Sequence, residues 1–95
     1  MPSAKQPSST LPGADLIEVG LEDLKRGNET IEALLVSIAA PRLRSLGFDV
    51  HAPFEEPELR LYRRLATEFG AGAHSRYNAL IRRIVSFQRA AACAK

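Results

Sequence analysis

The sequence predicts an all-α fold, a small four-helix domain behind a disordered N-terminal tail, and three observations predict it. Apolar residues recur at helical spacing through most of residues 15–92. Glycines at 27, 47 and 70 close the first three periodic runs, where a left-handed residue commonly ends a helix. Residues 1–14 are rich in Pro and Ser, with Leu11 as the only sizeable apolar residue after Met1, a composition that cannot offset the entropy of ordering. The chain is 45% hydrophobic and 25% charged, ordinary values for a folded protein. Ninety-five residues make a single helical domain, expected over 15–95. A chain this short buries only about 60–65% of its unfolded surface, which leaves little depth for a walled active site.

The first helical segment is expected to open at Asp15, with Glu18 three places on as a capping-box partner. Leu16, Ile17, Leu21 and Leu24 supply its apolar face, and Gly27 stops it. The second starts at Asn28 or Thr30 as cap. Its Ile31, Leu34, Leu35, Ile38 and Ala39 match the i, i+3, i+4, i+7, i+8 template in full, so it should be the most buried element. Pro41 is expected to break it, because a straight continuation would carry Arg42 into the apolar stripe. Leu43 and Leu46 then pack anew before Gly47.

Residues 47–56 form a loop pinned by Phe48, Val50 and Phe54, and Pro57 suits the first position of a third helix. Leu61, Tyr62, Leu65, Ala66 and Phe69 give that helix its apolar face. Gly70-Ala71-Gly72-Ala73 reads as a flexible turn, with His74 or Ser75 capping the last helix, roughly 76–92. At about 100° per residue, Tyr77, Leu80, Ile81, Ile84, Val85 and Phe87 share a sector of about 160°. Arg76 and Arg83 border the sector on one side, and Asn78, Arg82 and Arg89 on the other. So wide a stripe implies a place at the centre of the core or in a homodimer seam.

Charge is divided along the chain. Residues 1–58 hold five bases against ten acids, whereas residues 59–95 hold eight bases against Glu68 alone. The formal net charge of +2 therefore conceals a dipolar molecule, suited to an acidic partner, to nucleic acid, or to its own acidic half. Ten of the thirteen bases are Arg, the residue that pairs bidentately with carboxylates.

Few constellations could carry chemistry. Leu65-Ala66, Phe69-Gly70 and the arginine-rich helix after them have the spacing of a helix-turn-helix, and Arg and Asn can read base edges. The usual turn, however, would put Arg76 where an apolar residue belongs, and the outward crest, Ala79 and Ser86, is bland. Asp49, Glu55, Glu56 and Glu58 beside His51 match no metal-ligand spacing, and acids gather before a helix N-terminus for reasons of its dipole. Glu56 is placed to pair with Arg60 four residues on. No motif sets Cys93 or a serine against His51 or His74, and no phosphate-binding glycine loop is present.

With one cysteine, no intrachain disulfide can form. No secretory-type apolar run opens the chain, and no stretch is long enough to span a bilayer; the expectation is a cytoplasmic protein without a membrane partner. The reading is a non-enzymatic interaction or regulatory module with no cofactor. Its partner is a protein with an acidic surface, met through Arg76, Asn78, Arg82, Arg83 and Arg89. The alternative is a DNA-binding protein through residues 57–92.

Overall fold

A computed structural model describes residues 11–94. Its α-helices are α1 (Ala14–Lys25), α2 (Ile31–Ser45), α3 (Pro57–Phe69) and α4 (Ala73–Ala94), and the described residues contain no strand. A 3₁₀ turn, Gly70–Gly72, joins α3 to α4. The expected four separate helices therefore become three helical runs, 14–25, 31–45 and 57–94. The glycine-rich stretch winds into a helical turn where a flexible loop was expected, so neither His74 nor Ser75 serves as a cap.

Local chemistry sets most of the other boundaries. Thr30 caps α2 by accepting the Ala33 N–H at 3.0 Å, and its own hydroxyl donates to Asp23 at 2.7 Å. Both α1 and α2 end in Schellman motifs. At the first, the N–H of Gly27 reaches the Leu24 carbonyl and that of Asn28 reaches Asp23. At the second, Gly47 reaches Arg44 and Phe48 reaches Leu43. Gly27 and Gly47 make this possible at φ of +74° and +101°. The capping box at Asp15 does not form. Gly13 precedes α1 with no side-chain cap, and Asp15 lies inside the first turn.

The stretch expected as a tail is described only from residue 11 onward. There Leu11 is half-buried against the core, and its carbonyl accepts the Ala14 N–H at 3.1 Å. Residues 1–10 lie outside the described residues.

Helix α2 is the centre of the molecule: Ala33 through Ser37 are all buried. It also runs unbroken through Pro41, correcting the expected break. The stripe buried through the proline is Val36, Ala39, Ala40 and Leu43, a second i, i+3, i+4, i+7 row, while Ile31 and Ile38 are only half-buried. Arg42 follows Ile38 by one turn, on the open edge, and is exposed with Pro41 beside it. No kink is needed to free the arginine, and packing of Ala40 and Leu43 carries the helix past the proline. Helix α1 crosses α2 at Gly20. A Cβ there would enter the van der Waals surface of the Glu32 carbonyl oxygen and a Val36 methyl, and would stand 2.9 Å from the Glu32 carbonyl carbon.

The loop 46–56 is held as expected. Val50 is buried, Phe48 meets Phe87 with ring centroids 5.6 Å apart, and Phe54 donates its N–H to Ser37 Oγ at 3.0 Å. Ser37 in turn donates to the Ala33 carbonyl at 2.8 Å, which satisfies a hydroxyl inside an apolar core. Arg44 reaches the Val50 carbonyl at 2.9 Å.

Candidate interaction surface

Helices α3 and α4 bury far less than their apolar content suggests. On α3 only Leu61 and Leu65 are buried, while Tyr62, Ala66 and Phe69 are exposed. On α4 the buried residues are Ala73, Ile84, Phe87 and Ala91, with Tyr77 and Leu80 half-buried between them. Their steps of four, three, four, three and four residues describe a narrow seam of the coiled-coil kind. Ile81 is half-buried and Val85 exposed, so the expected place of α4 at the centre of the core is corrected: within the single chain its wide apolar stripe is only partly covered. Neighbours cover this helix along one line only.

The five residues singled out from the sequence are all exposed and fall on two flanks. On the first flank, Arg83 meets Asp15 of α1 at 3.1 Å, and Arg76 lies over the Phe69 ring, its guanidinium carbon 3.9 Å from the centroid. The Arg83 and Asp15 side chains are 48% and 74% exposed, so this pair contributes about 0–1 kcal/mol. The cation–π contact on so open a site contributes about 0.5–1 kcal/mol. On the second flank, Asn78 approaches His74 Nε2 at 3.3 Å. Arg82 and Arg89, two turns apart, have no carboxylate within ion-pair distance among the described residues.

The acidic half of the chain answers some bases but not these. Arg60 pairs with Glu29 at 2.9 Å, not with Glu56 as the spacing suggested, and Arg26 pairs with Glu22 at 3.2 Å. Arg60 also lies 5.9 Å from the Phe54 ring centroid. A shallow groove of about 630 Å³ beside α3 is lined by Glu29, Glu56, Leu59, Arg60, Arg63 and Arg64, among others. It carries both signs of charge and no nucleophile paired with a base.

Sequence reading missed an aromatic cluster that joins α3 to α4. The Tyr62 ring lies 5.7 Å from Tyr77 and 6.4 Å from His74, centroid to centroid. Burial, and then the Glu58 carboxylate, hold the Tyr77 hydroxyl above its ordinary range. Among the described residues no three of His, Cys, Asp and Glu converge on a point that could hold a metal ion, Cys93 is an exposed free thiol, and no helix is long and apolar enough to cross a membrane. No family model, curated protein or solved structure matches this chain.

Proposed function

We propose that the chain is a non-catalytic binding module for a protein partner with an acidic surface, engaged through the second flank of α4. One observation carries this reading. Arg82 and Arg89 project from one side of a helix that has no acidic residue of its own, and no described carboxylate neutralises them. Arginines placed beside exposed apolar and aromatic side chains are what protein interfaces are enriched in. Arg76 and Arg83 play a lesser part, because Phe69 and Asp15 already hold them.

Duplex DNA is the competing partner, through α3 and α4 as a helix-turn-helix. Three of its five candidate readers, Arg76, Asn78 and Arg83, are engaged within the chain, and the crest between the flanks is Ser75, Ala79 and Ser86, which offers little to a base edge. Binding of a fluorescent Glu-rich peptide and of a random-sequence duplex, each over a series of salt concentrations, separates the two. The protein-partner reading expects saturable peptide binding that is tighter than duplex binding at physiological salt. Tight duplex binding that falls linearly with log salt, with a slope near −0.9 for each phosphate neutralised, would replace it with the DNA reading.

A further inference from the structure

Helix α1 holds four carboxylates against Lys25, and α4 holds four arginines and no acid. The buried residues of α1, Leu16, Ile17, Gly20 and Leu24, take one side of that helix. Asp15, Glu18, Val19 and Glu22 share the opposite, exposed side. On α4, residues 78, 82, 85 and 89 follow one another by four, three and four, and all are exposed. At about 100° per residue this line lies roughly 150° around the helix from the buried Ala73, Ile84, Phe87 and Ala91. Each face therefore sets one exposed valine among like charges. Val19 is 48% exposed beside Glu18 and Glu22, and Val85 is 36% exposed between Arg82 and Arg89.

The two faces do not meet within one molecule. Helix α1 reaches α4 at its own first turn, where Asp15 pairs with Arg83. Gly13 lies there so close that a Cβ would stand 2.7 Å from the Arg83 carbonyl oxygen. Arg83 is about 100° around α4 from Arg82, so this contact leaves the Arg82 line open. Among the described residues Arg82 and Arg89 have no carboxylate, and Glu18 no base, within ion-pair distance. Glu22 is held by Arg26 alone, in a pair whose side chains are 66% and 55% exposed, and so exposed a pair exchanges at little cost. Lys25 and Arg26 close the acidic face at its C-terminal end. Elsewhere Glu56 and Glu68 stand in the groove among Arg60, Arg63 and Arg64, so α1 is the helix whose outward face is acidic around an apolar residue.

We infer that the acidic surface met by Arg82 and Arg89 is the α1 face of a second copy of this chain, with Glu18 and Glu22 against the arginines and Val19 on Val85. The assignment rests on the acidic-partner reading and names the partner. It joins two different faces, so it passes from copy to copy unless two copies close it on each other. One helix face on another falls short of the roughly 1,000 Å² of a lasting interface. The association is therefore weak, reversible and screened by salt.

Sedimentation velocity of the full chain from about 0.01 to 1 mM, in about 0.05 M and about 0.5 M salt, tests it. The sedimentation coefficient should rise with concentration at the lower salt and return to the monomer value at the higher. Arg82→Glu with Arg89→Glu, and separately Glu18→Lys with Glu22→Lys, should each weaken association by about tenfold or more. Both should leave the thermal melt nearly unchanged, since all four side chains are exposed. An equimolar mixture of the two variants should associate again, because one then carries an acidic α4 line and the other a basic α1 face. A chain that stays monomeric throughout but binds the Glu-rich peptide overturns the self-association and leaves the acidic-partner reading standing. A monomeric chain that binds no peptide removes both. Association that either variant retains in full, or that the mixture fails to recover, overturns the inference, because another surface then carries it.

Discussion

Substituting Gly20 by Ala sets local helix propensity against tertiary packing, and the structure says which wins. Gly20 is mid-helix in α1, where propensity alone makes Ala more favourable by about 1 kcal/mol. The added Cβ, however, would meet the carbonyl oxygen of Glu32 and the methyl of Val36 inside their van der Waals surfaces. The Glu32 carbonyl is helix backbone and cannot swing aside as a side-chain end could. The two helices have to separate by about 1 Å, and such a gap forfeits about a quarter to a half of the dispersion energy at each contact across the crossing. Overpacking of this kind costs about 3 kcal/mol, the upper end of the usual range. Subtracting the propensity gain leaves a net loss of about 2 kcal/mol. In a domain of this size that lowers Tm by about 8–16 °C. Thermal melts and urea unfolding of the purified variant measure it. A Tm equal to or above that of the unsubstituted protein would refute the close α1–α2 crossing on which the placement of α2 at the centre depends.

Two further outcomes test the uneven burial of α3 and α4. Ile84→Ala should cost about 2–5 kcal/mol by urea unfolding as a core truncation, whereas Val85→Ala next to it should stay within about 0.5 kcal/mol; similar losses at both would restore the wide buried stripe. In a Tyr62→Phe variant the one remaining phenol, Tyr77, should titrate above the ordinary value of 10.0 when followed by ultraviolet absorbance. Because the folded state holds that proton more tightly than the unfolded chain does, its stabilising contribution is complete below about pH 10 and is lost as pH rises through the folded pKa. An alkaline loss of stability that Tyr77→Phe leaves unchanged would contradict this.

The ends of α2, the C-terminus of α1 and the start of α3 were legible in the sequence because the residues that make them act locally. Thr30 caps its own helix, Gly27 and Gly47 adopt the left-handed conformation their motifs need, and Pro57 starts α3. Phe48, Val50 and Phe54 stood out because apolar residues in an otherwise polar loop have to be covered. Burial on α3 and α4 was not legible. Periodicity shows which residues share a face, but only the fold shows that neighbours cover one line of that face and leave Tyr62, Phe69 and Val85 open. Pro41 misled for a related reason. The stripe through Ile31 and Ile38 matched the template in full, yet the stripe the fold buries beyond it runs through Val36, Ala39, Ala40 and Leu43, so Arg42 never threatened the core. Ion-pair partners were hidden by distance along the chain: Asp15 and Arg83 are 68 residues apart, and Glu29 and Arg60 are 31 apart. Of the five candidate site residues, only the structure distinguished Arg82 and Arg89 from the engaged Arg76 and Arg83.

The central claim is that Arg82 and Arg89 serve a partner and not the fold. The most direct measurement is the affinity of a Glu-rich amphipathic peptide, per folded molecule, for the Arg82→Gln/Arg89→Gln double variant, followed as a function of salt. The account predicts a fold stable to within about 1 kcal/mol, since exposed charges contribute that little. It also predicts peptide binding weakened by about tenfold at low salt and a flatter salt dependence, because charges at an interface rim set association and its screening. A double variant that unfolds while its folded fraction binds the peptide with unchanged affinity and salt dependence would contradict the claim and make both arginines structural.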